Sequence, residues 1–164
     1  MIPPAQPGSE PPGPRSDLGI LLLVAYQAFV RGLHEEMASH GYDDLGSSDG
    51  VVFRLLHAEP RTVSDLAGRL GISKQGAAQI VEDMERRGYL VRRPDPNDGR
   101  ARLVGLSERG AGALGVAREF HSGYEQRLVA GQGQDAVDTV RSVLRSMTED
   151  APEGLYRELR SLYL

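Results

Sequence analysis

The sequence contains no cysteine. Disulfides, thiolate metal sites, cysteine nucleophiles and thiol redox sensing are therefore excluded. Disulfide-free chains are ordinary in the cytosol, so this absence alone does not fix the compartment. Lysine is nearly absent as well, since Lys74 is the one lysine among 19 basic residues. We interpret the excess of arginine as the codon bias of a GC-rich genome.

Long apolar runs are also missing. The longest, residues 20–25, falls far short of the roughly 18–20 residues that a membrane span requires. Residues 1–15 contain six prolines and two glycines, and they do not resemble a secretory signal. We expect this segment to be a disordered tail, and we predict a cytoplasmic protein with no membrane partner.

The charge is unevenly distributed along the chain. The net charge is −4, yet residues 61–110 carry 10 basic and 7 acidic residues. A basic middle between acidic ends fits a DNA-reading module on an acidic scaffold. Chance clustering is the alternative, and charge alone does not decide between the two.

Apolar periodicity and capping residues predict a mostly helical chain with one small β-hairpin. Helices are expected over 17–39, over 48–57, from 107 to about 129, and from about 135 after a Gly-Gln-Gly break. The predicted units are the tail 1–15, an N-terminal helix region 16–46, a central module 47–110 and C-terminal helices 111–164. The flanking helices carry surplus apolar residues, which predict packing across a dimer axis: Ile20, Leu22, Val24, Leu155, Leu159, Leu162 and Tyr163.

Two short helices joined by a tight turn lie in the central module. Residues 62–65 have the spacing of a capping box at the start of the first helix. Gly71 ends that helix, and Ser73 is placed to cap a second one that runs to about Arg87. This arrangement is typical of a helix-turn-helix.

A hairpin is predicted directly afterwards. Residues 89–93 and 102–106 have the character of short strands, and the segment 94–99 between them is dense in turn-forming residues. Arg100 is expected near the tip. A helix-turn-helix followed by such a hairpin is a winged helix-turn-helix.

Residues near the start of the second helix suit the major groove, where glutamine pairs with adenine and lysine reaches guanine or phosphate. Arg100 suits the narrow minor groove, and Arg92 joins other arginines that suit phosphates. The predicted DNA-binding residues are Arg61, Thr62, Ser73, Lys74, Gln75, Gly76, Gln79, Arg93, Asp98, Arg100 and Arg102.

These motifs resemble the multiple-antibiotic-resistance regulator (MarR) family over about residues 62–110. The turn VSDLA…LGIS at 63–73 is similar to the family's "eLA..lgls", and MERRGYLVRR at 84–93 is similar to "LekkGlveR". The segment PDPNDGRA at 94–101 resembles the family wing "pdpeDrRa", and LSERG at 106–110 resembles "LTekG". The helical flanks match the family in layout only.

The resemblance implies a specific way of working. The wing residues that matter most in the family correspond to Asp98 and Arg100, whereas Gly99 stands where the family usually has arginine. Family members are dimers joined by their terminal helices, and they bind pseudo-palindromic operators. Many release DNA when a small aromatic or anionic ligand enters a crevice beside the winged helix. The residues expected to contact such a ligand are Tyr26, Arg54 and His57.

Several other signals have ordinary explanations. The GQGQDA segment at 131–136 matches G-x-G-x-x-A, but a helix precedes it where a dinucleotide site needs a strand. His34 and His40 lie about 240° apart around a helix, so they do not share a metal-binding face. We therefore predict neither a cofactor nor a metal site.

Two other functions compete with DNA binding. A winged helix that serves only protein contacts would have an apolar outward face on its second helix, but Lys74, Gln75 and Gln79 make this face polar. An enzyme would need a nucleophile, a base and an orienting group, and no such motif is present. The sequence therefore predicts a DNA-binding transcriptional regulator, most simply a repressor, without enzyme activity.

Overall fold

Six helices and one β-hairpin make up the part of the chain that the computed structural model describes, residues 17–149. The elements, in chain order, are α1 (Leu18–Ser39), α2 (Asp49–His57), α3 (Val63–Leu70), α4 (Lys74–Arg86), β1 (Leu90–Pro94), β2 (Arg102–Leu106), α5 (Glu108–Gln132) and α6 (Gln134–Glu149). The predicted fold class is confirmed. The predicted tail lies outside the described residues.

Side-chain caps begin four of the helices. The Asp17 carboxylate accepts from the Gly19 N–H at 2.8 Å, and the Thr62 hydroxyl accepts from the Asp65 N–H at 3.1 Å. Ser73 and Ser107 cap α4 and α5 in the same way. A cap satisfies N–H groups that lack a partner in the first helical turn, so each of these helices begins where its capping residue predicts.

The break between the last two helices is narrower than the predicted Gly-Gln-Gly segment. Helix α5 continues to Gln132, and Gly133 alone separates it from α6. Gly133 has a φ of +86°, a conformation that glycine adopts without steric cost. One glycine therefore redirects the chain, and the neighbouring Gly131 remains helical.

The core lies between α2, α3, α4, the hairpin and the first turns of α5. Its largest fully buried side chains are Val52, Leu66, Val81, Met84, Tyr89 and Val104. Phe53 of α2 is buried too, between the buried Val52 and Leu56 along the chain. Helix α2 packs against both α5 and β2, so its buried face is wider than one apolar stripe.

The hairpin pairs Leu90 with Leu106 at its base and Pro94 with Arg102 near its tip. Arg61 adds to the outer edge of β2 through two backbone hydrogen bonds with Val104, of 2.9 and 2.7 Å. This bridge attaches the start of α3 to the wing. Helix α4 packs against β1, so the hairpin and α4 are neighbours in one module.

Helices α1 and α6 both leave apolar side chains in solvent, although each packs against α5. Ile20 and Val24 are exposed as the dimer prediction requires, whereas Leu22 is half-buried. The other four predicted contact residues lie at 155–163, outside the described part of the chain. No helix within residues 17–149 is long and apolar enough to cross a membrane.

Candidate nucleic-acid interface

Helix α4 presents a polar, uncrowded face at its N-terminal end. Lys74, Gln75 and Gln79 are exposed, while Ala77 and Val81 on the opposite side are buried in the core. The helix begins at Ser73, whose hydroxyl accepts from the Gly76 N–H at 3.1 Å. Because the buried face fixes the rotation of the helix, the long polar side chains project from the module with freedom to reach a ligand.

Two aspartates shape the turn between the strands. Asp95 accepts from the Asn97 N–H at 2.8 Å, and Asp98 accepts from the Arg100 N–H at 2.9 Å. The Ala101 N–H then donates to the Asp98 carbonyl at 2.9 Å. Asp98 therefore holds the backbone on which Arg100 stands, a role that its negative charge favours over direct contact with a phosphate.

The wing is rich in unpaired cations. Arg93, Arg100 and Arg102 are exposed, and none of them forms an ion pair with a residue in the range 17–149. Arg92 differs because its Nε lies 2.9 Å from the Glu85 carboxylate. Three guanidinium groups on one short hairpin, without internal counter-charges, form a surface that attracts anions.

Arg61, one of the predicted DNA contacts, makes several contacts within the protein. Only 13% of its side chain is exposed, and its guanidinium binds the Leu55 carbonyl at 2.8 Å, Asp65 at 2.8 Å and Glu59 at 3.0 Å. Thr62 likewise caps α3. These contacts favour a structural role for both residues, and the assignment of the predicted interface residues to DNA contacts stays a prediction.

A buried ion pair attaches the end of α4 to the start of α2, and no motif in the sequence indicates it. Asp49 is buried, and its carboxylate receives Arg87 at 2.6 and 3.2 Å and the Gly46 N–H at 2.8 Å. Arg87 also donates to Asp83 and to the Asp44 carbonyl. The hydrogen bonds to Asp49 raise the pKa of Arg87 above its usual value. The pair fixes the C-terminal end of α4.

A second polar cluster lies beside it, where Tyr89 and Arg109 contact the loop between α1 and α2. The hydroxyl of the buried Tyr89 donates to Asp44, and Arg109 donates to that carboxylate at 3.1 Å and to the Gly41 carbonyl at 3.3 Å. The Arg109 guanidinium also lies over the rings of Tyr89 and Tyr42, 4.7 and 5.6 Å from their centroids. The loop is therefore held to α5 by charge-assisted hydrogen bonds and by cation–π contacts.

The titration behaviour of this cluster follows from its contacts. Burial and the hydrogen bond to Asp44 raise the pKa of Tyr89 to about 12. The same hydrogen bond, followed by Arg109, lowers the pKa of Asp44. The carboxylate and the neutral phenol are therefore the stable forms, so the cluster holds its charges across the physiological range.

The predicted ligand contacts lie on α1 and α2, and both of these helices pack against α5. Tyr26 is on α1 and is 38% exposed. Arg54, on α2, has no ion pair within residues 17–149, and the His57 Nε2 accepts from Arg118 at 2.8 Å. Nearby, burial and then the charge of Arg54 lower the pKa of His121. The ligand-binding assignment stays a prediction.

A groove of about 480 Å³ runs between α5 and α6. Phe29, His121 and Tyr124 are among the residues that line it, and the ring centroid of Phe29 lies 4.9–5.0 Å from the centroids of the other two rings. None of the three predicted ligand contacts lines it. Within residues 17–149, no group of three histidine or carboxylate side chains is close enough to hold a metal ion.

Comparison with known proteins shows which family this chain resembles. The sequence model of the MarR family matches residues 45–101, the range from the end of the α1–α2 loop to the wing. The HTH-type transcriptional regulator PetP of Rhodobacter capsulatus is 27% identical over 143 residues, which is 85% of this chain and 82% of PetP. The HTH-type transcriptional regulator MhqR of Bacillus subtilis is 20% identical over 137 residues, 83% of this chain and 92% of MhqR.

Two solved protein–DNA complexes contain chains that superpose on this one. The transcriptional repressor CouR, bound to a 23-mer DNA duplex, superposes with a TM-score of 0.63 at 26% identity, covering 87% of this chain and 100% of CouR. A mutant of MarR from E. coli complexed with operator DNA gives a TM-score of 0.59 at 23% identity, covering 79% of this chain and 92% of that one. Together with the exposed face of α4 and the arginine-rich wing, these likenesses show a winged-helix, DNA-binding transcriptional regulator that is similar to the MarR family.

Proposed function

We propose that this regulator represses transcription in the cytoplasm by binding a pseudo-palindromic operator in double-stranded DNA as a homodimer. The observation that carries the proposal is the exposed N-terminal face of α4, with Lys74, Gln75 and Gln79, beside a wing whose three exposed arginines form no ion pair within residues 17–149. In this proposal residues 47–110 form the reading module, and the regions 16–46 and 111–164 form the dimer.

The chemistry of each surface supports a division of labour. Glutamine side chains offer a donor and an acceptor together, which matches adenine in the major groove. Guanidinium groups bind phosphates and the electronegative minor groove, and they contribute affinity with less sequence information. We assign α4 to base reading, Arg100 to the minor groove, and Arg93 and Arg102 to phosphates.

The base-reading assignment predicts a change of specificity. Gln75 and Gln79 are four residues apart on α4 and share one face. Replacing either with alanine should relax base preference at one position per half-site, at a cost of about 1–3 kcal/mol on the wild-type operator. Selection of bound duplexes from random DNA, with wild type and each variant, measures this preference directly.

Arg93→Ala is the matched comparison, because a phosphate contact should weaken binding to every selected duplex alike. If the glutamine variants lose affinity uniformly across sequences, as the arginine variant does, α4 does not read bases through these side chains.

The wing assignment predicts a loss of affinity. Arg100→Ala should weaken operator binding by about 1–3 kcal/mol, the contribution of one good groove contact. Fluorescence anisotropy with a labelled operator gives the dissociation constant. Arg31→Ala, which removes the same charge from an exposed position on α1, controls for net charge and should change binding less than about twofold. Equal affinities for the folded Arg100→Ala variant and wild type would exclude a wing contact.

Release from DNA by a small aromatic or anionic ligand is the regulatory part of the proposal. Two contacts between α2 and α5 support this part. Arg118 donates to His57, and Arg54 lies close enough to His121 to lower its pKa. Neither arginine is paired with a carboxylate among the described residues. An anion beside Tyr26, Arg54 and His57 would supply the missing counter-charge. Release assays with a panel of aromatic carboxylates test this part separately from DNA binding.

A further inference from the structure

The loop between α1 and α2, residues 40–48, is attached to the reading module by two arginines. Arg87, at the end of α4, donates to the Asp44 carbonyl at 2.7 Å. Arg109, in the first turn of α5, donates to the Gly41 carbonyl and to the Asp44 carboxylate. The loop therefore contacts both the reading helix and the helix that continues into the flanking region.

Helix α5 connects two parts of the molecule. Its first turns bury Ala113 and Leu114 in the core of the reading module. Its later turns pack against α1, where the Phe120 and Phe29 rings lie 5.4 Å apart. Met37, near the end of α1, is buried in the same core. The loop contacts follow directly after this point, and they add directional hydrogen bonds where α1 meets the module.

We propose that Asp44, Tyr89 and Arg109 are positioning residues that fix the orientation of the reading module relative to the α1–α5 region, and so set the half-site spacing that the dimer accepts. The inference rests on the proposed function, since spacing has meaning only for a dimer that reads two half-sites. Two recognition helices must lie about 34 Å apart, or a multiple of it, to enter successive major grooves.

The composition of this joint suits such a role. The side chains of Asp44 and Arg109 are both 40% exposed, so their contacts depend on hydrogen bonds and charge more than on buried apolar area. Charge-assisted hydrogen bonds fix direction as well as distance. Removing one group should therefore loosen the joint while the core around Leu66, Val81 and Met84 remains intact.

The test measures spacing preference. Operators with the selected spacing and with one base pair inserted or deleted, a shift of about 3.4 Å per pair, are titrated with wild type and with Asp44→Ala. The variant should lose about threefold to tenfold in affinity for the selected spacing and change less than about twofold on the altered operators. The ratio of the affinity for the selected operator to the affinity for an altered operator should therefore fall.

Asp43→Ala is the matched control, because this exposed neighbour carries the same charge in the same loop and has no hydrogen bond or ion pair to a described residue. Tyr89→Phe, which removes one hydroxyl, provides a second test if Asp44→Ala does not fold, as judged by its unfolding midpoint. The inference is overturned if a folded variant of Asp44 or Tyr89 has the same ratio of affinities between operators as the wild type. Failure of the wild type to bind any selected duplex instead contradicts the proposed function.

Discussion

Gly110→Ala should destabilise the protein by about 3 kcal/mol or more, beyond the usual cost of overpacking a core. A Cβ atom at this position would lie 2.1 Å from the backbone oxygen of Tyr89 and 3.5 Å from Leu106 Cδ2. The Tyr89 carbonyl cannot easily withdraw, because it also accepts the Ser107 N–H at 3.0 Å. Domain stabilities are about 5–15 kcal/mol, so this methyl group would remove a large share.

The contacts around Gly110 also explain why α5 begins in this position. Ser107 caps the helix through the Gly110 N–H at 3.0 Å, and its hydroxyl donates to the Gly88 carbonyl. The first turn of α5 is thereby pressed onto residues 88–89, the link between α4 and β1. A side chain at residue 110 would push the helix away and separate Arg109 from Tyr89 and Asp44.

Gly115→Ala provides the control. Gly115 lies in the same helix, and within residues 17–149 no atom beyond its neighbours and the local helix backbone lies within 4 Å of the position that an added methyl group would occupy. Alanine there should be neutral or should stabilise by up to about 1 kcal/mol through helix propensity. Urea unfolding of both variants measures the difference. Similar unfolding free energies for the two alanine variants would show that the contact with Tyr89 relaxes at little cost.

Local signals explain why so much of the fold is predictable from sequence. Asp17, Thr62, Ser73 and Ser107 each form the cap that their spacing indicates, because a cap joins residues two or three positions apart. The outward face of α4 is predictable for a similar reason. Once the apolar residues of α4 are inside, helical periodicity fixes which residues are outside.

Long-range polar contacts are not predictable in this way. Asp49 and Arg87 are 38 residues apart, and each has the appearance of an ordinary surface residue in the sequence. The backbone bridge between Arg61 and Val104 is likewise not indicated by any pattern in the sequence. A single sequence contains no signal of which charges meet across elements, so the partners of an arginine are known only from the fold.

The motif at 106–110 illustrates the intermediate case. The resemblance to a family pattern singles out Gly110 without giving a reason for glycine. The structure provides the reason in the contact with Tyr89. The same is true of the wing. The family pattern singles out Asp98, and the structure shows that its carboxylate accepts from the Arg100 N–H. Pattern and geometry together separate residues that shape the interface from residues free to contact DNA.

Val143→Asp should convert the protein to a monomer and lower specific operator binding by about a thousandfold or more, toward the non-specific level. Val140, Val143, Leu144 and Met147 form one apolar face of α6, with 42–57% of each residue exposed. Leu21 and Val24 of α1 are similarly exposed, at 50 and 55%. Monomeric proteins seldom leave large apolar patches in water, and we propose that a second copy covers these side chains.

Burial of this face contributes about 25 cal/mol per Å² of apolar area, and a carboxylate within it would have to be desolvated without a partner. A monomer reads only one half-site, so the free energy of the second set of contacts is lost. Ser142→Asp adds the same charge one residue away, on the polar side of α6, and should remain dimeric. Light scattering at micromolar concentration and operator titration measure both properties. A Val143→Asp variant that stays dimeric, or a wild-type monomer that binds a palindrome tightly, would show that this face does not form the dimer.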